Sequence, residues 1–303
     1  MSFDYWPADS RKWVIHTWSR IVSSLPQLAE LELYWDGDMP QIISQCLLDS
    51  GVHNLRKLVL HTSGKTLPSS FGGFSTFIAR NPNLSHITLS ASYSRFDIAV
   101  LTQRMPFERP LKLQHLSIGS NCKNLEALVP HLQLLQSFKF RLHSRSVENP
   151  NGWCPVFCKA NVFPSAIEVD VLDSELIMYL THHPGVVSLT IRHKGDSERY
   201  DALSEALAQH SEKLRFLALD SCALSKLLTS AQNRVNFLKC TGIEEFALIA
   251  ANPPAPAPSL WSIRYVSTQV RRTHVHIFIR GVGEIGPPYH RSPQPFVDGG
   301  YQV

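Results

Sequence analysis

Charged residues are scarce in this sequence. Asp, Glu, Lys and Arg make up 18% of the 303 residues, whereas about a quarter is usual for globular proteins. The net charge is +4, and no run of Lys and Arg is longer than two residues, as in Arg271-Arg272. Because nucleic-acid binding relies on clustered positive charge, we expect no nucleic-acid partner, and we interpret this pair as part of a solvated loop.

Long apolar runs and cysteine clusters are also missing. No stretch of about 18 apolar residues occurs, so the sequence predicts no membrane span. The first residues lack the apolar stretch behind a basic start that marks a signal peptide. Of six scattered cysteines only Cys154 and Cys158 lie close together, and no neighbouring pair completes a zinc site. We therefore expect reduced thiols, no metal, and an intracellular protein of the cytoplasm or nucleus.

Motifs typical of catalysis are absent too. Neither Gly-x-Ser-x-Gly nor His-Glu-x-x-His occurs. Residues 281–286 match Gly-x-Gly-x-x-Gly, but Pro287-Pro288 follow at once, where a dinucleotide site needs a helix. Gly64-Lys65-Thr66 resembles the end of a phosphate loop, but Val59 replaces its first glycine. We predict no enzyme and no cofactor; the alternative is an enzyme or nucleotide-binding protein that uses the C-terminal glycines.

The sequence does contain an internal repeat. Its phrase is apolar-x-x-apolar-x-apolar, with apolar residues at the first, fourth and sixth places. The copies are Leu28/Leu31/Leu33, Leu55/Leu58/Leu60, Leu84/Ile87/Leu89, Leu113/Leu116/Ile118, Leu135/Phe138/Phe140, Ala166/Val169/Val171, Val186/Leu189/Ile191, Leu214/Leu217/Leu219 and Ile243/Phe246/Leu248. The copy at Leu135 is weaker, and the one at Ala166 is degenerate.

The spacing of the copies is mostly regular. Their first residues are 27, 29, 29, 22, 31, 20, 28 and 29 residues apart. The irregular spacings flank residues 144–165, which we interpret as an insertion that interrupts the repeat. Between copies, apolar residues at i, i+3 and i+4 predict helices. These predicted helices cover 41–48, 71–79, 97–105, 174–181, 200–209 and 225–239.

Each unit is thus predicted to be a strand, a loop, a helix and a turn. Side chains alternate along a strand, so the fourth and sixth places point into the core and the third, fifth and seventh point to the opposite face. One unit buries one side only, and stacked units share a continuous core. We predict an α/β solenoid of about eight or nine irregular units, with parallel strands on its concave face and helices on its convex face.

The phrase also carries a family resemblance. Residues 214–224 (LRFLALDSCAL) fit the leucine-rich-repeat phrase at every fixed place, and residues 113–121 fit it through the Asn. Over residues 25–250 the chain resembles leucine-rich-repeat proteins of the ribonuclease-inhibitor-like and fungal F-box-associated types. The resemblance implies that Asn121 and Cys222 turn inward and hydrogen-bond loop backbone between neighbouring units. It also implies a protein partner, bound on the concave face without catalysis.

The F-box-associated type implies a narrower role, as the substrate-recognition part of a ubiquitin-ligase assembly that an F-box links to its adaptor. An F-box is a Leu-Pro-rich helical stretch ahead of the repeats. Residues 1–24 contain no such stretch, so we expect no F-box in this sequence.

The ends of the chain differ from the repeat region. We interpret residues 1–24 as a capping helix, 25–252 as the solenoid, and 253–303 as a Pro-rich linker followed by extra strands and a disordered tail. Residues 275–279 (VHIFI) alternate, which predicts a strand that either caps the last repeat or pairs in a hairpin with residues 261–266.

The predicted concave face supplies the candidate binding residues. It has an acidic and aromatic end, a middle where histidines come from neighbouring strands, and a basic patch whose Lys139 and Arg141 partly pair with Glu168 and Asp170; Leu172 and Asp220 also lie on this face. Aromatic side chains and arginine are enriched at binding hot spots. The residues that we predict to contact the partner are Tyr34, Trp35, His86, His115, Lys139, Arg141, Arg192 and Phe216.

Overall fold

The computed structural model shows an α/β fold built from a large parallel sheet and helices. It describes residues 16–17, 19–25, 27–35, 40–62, 72–91, 96–105, 108–119, 122–141, 152–183, 185–192, 199–249 and 274–278. The strands are β1 (Glu30–Trp35), β2 (Lys57–Thr62), β3 (His86–Ala91), β4 (Phe96–Asp97), β5 (His115–Gly119), β6 (Cys122–Lys123), β7 (Ser137–Arg141), β8 (Ala166–Val169), β9 (Ser188–Ile191), β10 (Phe216–Asp220), β11 (Glu245–Ile249) and β12 (His274–Phe278).

The nine repeat strands pair in parallel, and each lies beside its neighbour in the repeat. The order is β11-β10-β9-β8-β7-β5-β3-β2-β1, and β12 follows β1 as a tenth strand. The register keeps equivalent places in line, so that Leu31, Leu58 and Ile87 lie side by side. The sheet is not a closed barrel, since β11 and β12 are its two ends. The predicted α/β class with a parallel sheet is confirmed.

The helices form a second layer against the buried face of this sheet. They are α1 (residues 16–17 and 19–23), α2 (Pro40–Asp49), α3 (Gly72–Ala79), α4 (Ile98–Thr102), a 3-10 helix (Leu125–His131), α5 (Trp153–Ala160), α6 (Ser174–His182), α7 (Arg199–Gln209), α8 (Ser221–Leu227) and α9 (Ala231–Leu238). Successive helices from α2 to α7 pack against one another, and α7 packs against α8 and α9.

The apolar spacing explains why these segments are helices. In α3 the buried Phe74, Phe77 and Ile78 follow the i, i+3, i+4 pattern, which places them on one face of the helix. That face lies in the same hydrophobic core as fully buried strand residues such as Leu58 and Leu60. Each such leucine stabilises the fold by roughly 2 kcal/mol. The predicted helix over 225–239 is instead two helices, since α8 ends before 228 and α9 begins at Ala231.

The sixth unit is shifted by two residues from the sequence prediction. β8 aligns Ile167 and Val169 with the core positions of β7, and both are buried. The phrase therefore begins at the buried Pro164 and not at Ala166. Leu172, predicted on the open side of the sheet, is 1% exposed and belongs to the core. A shift of two residues keeps the alternation, which is why the apolar pattern alone did not fix the frame.

The predicted interruption at residues 144–165 is wrong over the described part of that range, residues 152–165. Pro164 lies 29 residues after Leu135, a regular unit length. Within this unit α5 supplies the helix, and its Trp153 and Phe157 are fully buried. The Trp153 ring lies 4.7 Å from Phe138 of β7, centroid to centroid. Residues 152–165 therefore belong to the same layers of sheet and helices as the other units.

Buried polar side chains tie successive turns together at the strand-entry side of the sheet. Asn81 accepts a hydrogen bond from the Leu55 N–H at 2.8 Å and donates to the Val52 carbonyl at 3.4 Å, in the turn before β2. His131 and His210 each form one hydrogen bond to backbone of the preceding unit. His131 Nδ1 accepts from Leu111 N at 2.9 Å, and His210 Nε2 donates to Leu180 O at 2.9 Å. Cys240 Sγ donates to the Leu207 carbonyl at 3.4 Å.

The expected loop contacts of Asn121 and the Cys222 side chain lie outside the described residues. So do residues 64–66 and 281–286, and residues 1–15 of the predicted cap. In α1, Val22 is buried in the core. The strand expected near Val275 is β12, and it pairs in parallel with β1, at the opposite end of the sheet from the last repeat. Residues 261–266, its alternative hairpin partner, are outside the described residues.

Candidate partner-binding face

The side of the sheet that faces away from the helices is the candidate site, and we call it the open face. Side chains alternate along a strand, so the first, third and fifth residues of each strand project there, and most are half-exposed. The register aligns them in rows. The first row is Glu30, Lys57, His86, His115, Ser137, Ala166, Ser188, Phe216 and Glu245, and the second is Glu32, Val59, Thr88, Ser117, Lys139, Glu168, Thr190, Ala218 and Ala247.

The β1 end of the open face is acidic and aromatic. The Tyr34 hydroxyl donates a hydrogen bond to Glu32, and the Tyr34 ring stacks on His61 with centroids 4.5 Å apart. His61 Nε2 lies 4.0 Å from the Glu32 carboxylate. Burial, followed by the hydrogen bond to Glu32 and its charge, raises the pKa of Tyr34, so the phenol stays neutral. The predicted anchor Tyr34 is thus held in place by its neighbours; the side chain of Trp35 is outside the described residues.

The predicted histidine pair is present in the next strands. His86 and His115 are aligned in the register, and their rings stack with centroids 4.0 Å apart at 21°. The Ser85 hydroxyl is 2.8 Å from His86 Nδ1. Burial lowers the pKa of both imidazoles, and for His86 the neighbouring His115 and Lys57 lower it further. The stack is therefore neutral at pH 7. His61 belongs to the Tyr34 stack and not to this pair.

Two basic residues pair with one carboxylate in the middle of the open face. Lys139 Nζ lies 2.5 Å from Glu168 Oε1, and Arg192 Nε lies 2.8 Å from the same oxygen. Burial lowers the pKa of Lys139, while Glu168 opposes this shift. Arg141, at the end of β7, is exposed and forms no ion pair within the described part of the chain. The predicted pairing of Lys139 with Glu168 is present, whereas Asp170 does not pair with Arg141 among these residues.

Small side chains separate the aromatic end from the basic middle. Thr88 and Ser117 are aligned in the second row, and Ser90 and Gly119 follow them in β3 and β5. Arg141 is aligned with Gly119, so no large side chain of β5 stands beside it. The guanidinium of Arg141 acts on Tyr34 across this gap, because its positive charge lowers the pKa of the phenol against the larger effect of burial. Small residues of β3 and β5 therefore lie between Tyr34 and Arg141 on the open face.

Of the two predicted face residues in β10, Phe216 lies on the open face and Asp220 does not. Phe216 is half-buried at the start of β10, aligned with Ser188 and Glu245, as expected for an anchor on the first row. Asp220 is not on the face. It is 2% exposed, and its carboxylate accepts the Ala223 N–H at 2.7 Å as the N-cap of α8. A helix N-terminus has unpaired N–H groups that attract such a side chain, and this preference outweighs the alternation along β10.

Glu168 is the site residue that the sequence reasoning undervalued. It was expected only as a partial partner of the basic patch, yet it joins Lys139 and Arg192 from the strands on either side. Alignment of the three strands would have revealed this role, because it places Glu168 in the second row, between Lys139 and Thr190. Arg192 is exposed as well but pairs with Glu168, so Arg141 is the exposed cation of the patch that forms no ion pair among the described residues.

A Cys and His contact lies outside the open face. His183 Nε2 is 3.3 Å from Cys158 Sγ, and the His183 ring packs on Phe163 with centroids 4.0 Å apart. Burial raises the pKa of the Cys158 thiol and lowers that of His183. A nucleophilic cysteine needs the opposite, a lowered thiol pKa. We therefore interpret the contact as packing between neighbouring units.

Metal sites and membrane-spanning helices are two further classes of functional feature. Among the described residues, no group of three or more His, Cys, Asp or Glu side chains is arranged to hold a metal ion. None of the described helices has both the length and the apolar character that crossing a membrane requires. No family model matches the chain, and no curated protein matches it.

Proposed function

We propose that this chain is a leucine-rich-repeat solenoid that binds a protein partner on its open face and catalyses no reaction. The strand order supports the solenoid: nine parallel strands follow one another in chain order and in one register, with helices or a 3-10 helix between them. Each unit then contacts only its neighbours, as in solenoids. The ties through Asn81 and His210 join such neighbours.

The observation that carries the binding proposal is the open face itself. Parallel sheets are normally covered on both faces, whereas the described helices cover one face of this sheet and leave charged and aromatic side chains half-exposed on the other. Tyr34 and the His86–His115 stack are held rigidly by their neighbours. Rigid aromatic groups lose little entropy on binding, and Arg141 offers an exposed charge beside them.

The decisive experiment compares two charge reversals. Arg141→Glu changes the open face, and Arg109→Glu changes an exposed arginine ahead of β5, outside the open face. The whole chain and both variants are used to capture proteins from a native cell extract, with circular dichroism to verify folding. We expect Arg141→Glu to lose a partner that Arg109→Glu retains. Equal capture by both variants, or loss of capture only on removal of residues 253–303, would overturn the proposal.

A narrower proposal concerns the kind of assembly. The resemblance to F-box-associated repeats favours a substrate-recognition role within a ubiquitin-ligase complex. In that case the proteins captured through Arg141 include ubiquitin-ligase substrates whose ubiquitination changes when the chain is present. If ubiquitination of the captured protein is unchanged by Arg141→Glu, the narrower role is wrong and partner binding stands alone.

A further inference from the structure

The β11 end of the sheet leaves apolar side chains uncovered. Phe246 and Leu248 of β11 are 40% and 60% exposed, whereas their register partners in β10, Leu217 and Leu219, are fully buried. On the neighbouring helix α9, Leu238 is also exposed. These are core positions of the repeat, so the next strand of a parallel array would cover them. Among the described residues β11 pairs with no strand other than β10.

A strand that covers β11 must run parallel to it and continue the spacing of the repeat. One strand of the chain, β12, has this spacing. His274 lies 29 residues after Glu245, and Glu245 lies 29 residues after Phe216. β12 therefore begins where a further repeat strand would begin. Within its own chain it pairs with β1 instead, with Val275 aligned to Leu31 and Ile277 aligned to Leu33. Its other edge pairs with no described strand.

Chain length argues against the other segment of this chain that is suited to β11. Residues 261–266 alternate as a strand would, but pairing there leaves seven residues before His274. Seven residues span at most about 25 Å. From β11 to β12 there are nine interstrand steps, which is about 43 Å along the sheet at about 4.8 Å a step. Measured along the sheet, a connection of seven residues is too short for residues 261–266 to pair with β11 while β12 pairs with β1.

We propose that β11 of one copy of this chain pairs in parallel with the outer edge of β12 of a second copy. The two sheets then become one continuous sheet, with Phe246 and Leu248 covered and Glu245 beside a histidine, His274. The two surfaces are different, so the contact is head-to-tail, and each added copy presents a new free end. Association is therefore open-ended. This inference concerns the ends of the sheet and does not depend on partner binding at the open face.

The test uses complementary variants of the whole chain. Leu248→Lys blocks the β11 end, and Ile277→Pro removes a backbone N–H and disrupts the β12 end. Each has one intact end, so alone each stays monomeric, whereas an equal mixture forms a dimer and nothing larger. The unchanged chain forms a concentration-dependent series of species. Leu134→Lys, at an exposed leucine in an interior turn, is the matched control and should associate like the unchanged chain.

Light scattering coupled to gel filtration measures the masses over a range of concentrations. We expect Leu248→Lys to weaken association about ten-fold or more, because burial of a leucine is worth at least that factor. A monomer at every concentration of the unchanged chain overturns the proposal. Dimers of Ile277→Pro alone also overturn it, because they would show that two β11 edges pair with each other.

Discussion

At the scale of single residues, Asn81 illustrates how successive units are held together. It is completely buried, and its amide satisfies backbone groups of two turns. Buried backbone groups without a partner are costly. The buried Asn81 side chain therefore contributes to the stability of the fold and is not part of the open face.

Replacing Asn81 by Ala should destabilise the fold by about 2–3 kcal/mol, because the buried Leu55 N–H loses its acceptor. Asn83→Ala is the matched control, since Asn83 is exposed in the same turn, and it should cost about 0.5 kcal/mol or less. Urea unfolding followed by circular dichroism measures both. Equal midpoints for the two variants would contradict the role of Asn81.

His210 makes stability depend on pH. Burial, with a smaller contribution from Lys213, lowers its pKa in the folded chain, against the bond to Leu180. The unfolded chain then takes up the proton first, near pH 6.5. The contribution of His210 to the free energy of unfolding is fully present above that pH. It falls as the pH drops from about 6.5 towards the lower pKa of the folded chain, by up to about 1.4 kcal/mol per pH unit.

The measurement is urea unfolding at several pH values. His131 has its pKa lowered by burial in the same way, so the two slopes add. His210→Gln retains a side-chain N–H for Leu180 O but carries no titrating group, and its stability should depend less on pH than that of the unchanged chain. An identical slope for both would show that His210 does not titrate between the two states.

The His86–His115 stack should make partner binding sensitive to pH. Both pKa values are already lowered by burial, and a partner that covers the rings desolvates them further. Affinity for a partner identified by capture should therefore fall from about pH 7 to about pH 5. His115→Gln should reduce this dependence, and His53→Gln, at an exposed histidine before β2, should not. A flat titration from about pH 5 to about pH 8 would argue against contact with the stack.

At the scale of elements, α5 packs residues 153–160 into the core between the units on either side. Trp153→Ala should cost about 3–5 kcal/mol, because the indole is buried against Phe138, Phe157 and Tyr179. Phe163→Ala, at a ring that is 47% exposed, should cost much less. Thermal unfolding compares the two variants. A small effect of Trp153→Ala would mean that α5 is dispensable to the stack.

The elements also show where sequence reasoning succeeds. The strand phrase located all nine repeat strands, since apolar residues at places four and six require one side of each strand to be buried. It placed the sixth unit two residues late, because Pro164 is weakly apolar and Ala166 was accepted in its stead as the first residue of the phrase. Only the alignment of Ile167 with Phe138 distinguishes the two frames. Helix α8 was missed as a separate helix because its N-cap, Asp220, was counted as a face residue.

At the scale of the whole molecule, central and terminal units should differ in stability. Leu219 and Leu248 are register partners in β10 and β11, but one is fully buried and the other is 60% exposed. Leu219→Asp should abolish cooperative unfolding, because a carboxylate cannot be buried without a partner. Leu248→Asp should cost about 1 kcal/mol or less. Differential scanning calorimetry at a concentration where the chain is monomeric tests this, and similar losses for both would mean that the β11 end is covered within a single chain.

The sequence by itself determined the α/β class, the places of the repeat strands and, except in the sixth unit, which of their residues are core, because each unit repeats the same local apolar pattern. It also determined which residue types occupy the open face. Only the tertiary structure decided which of them meet. The joining of Lys139 and Arg192 through Glu168, the His86–His115 stack and the ties at Asn81 and His210 bring together residues about one repeat apart. Their contacts depend on the register between units, which no local pattern specifies.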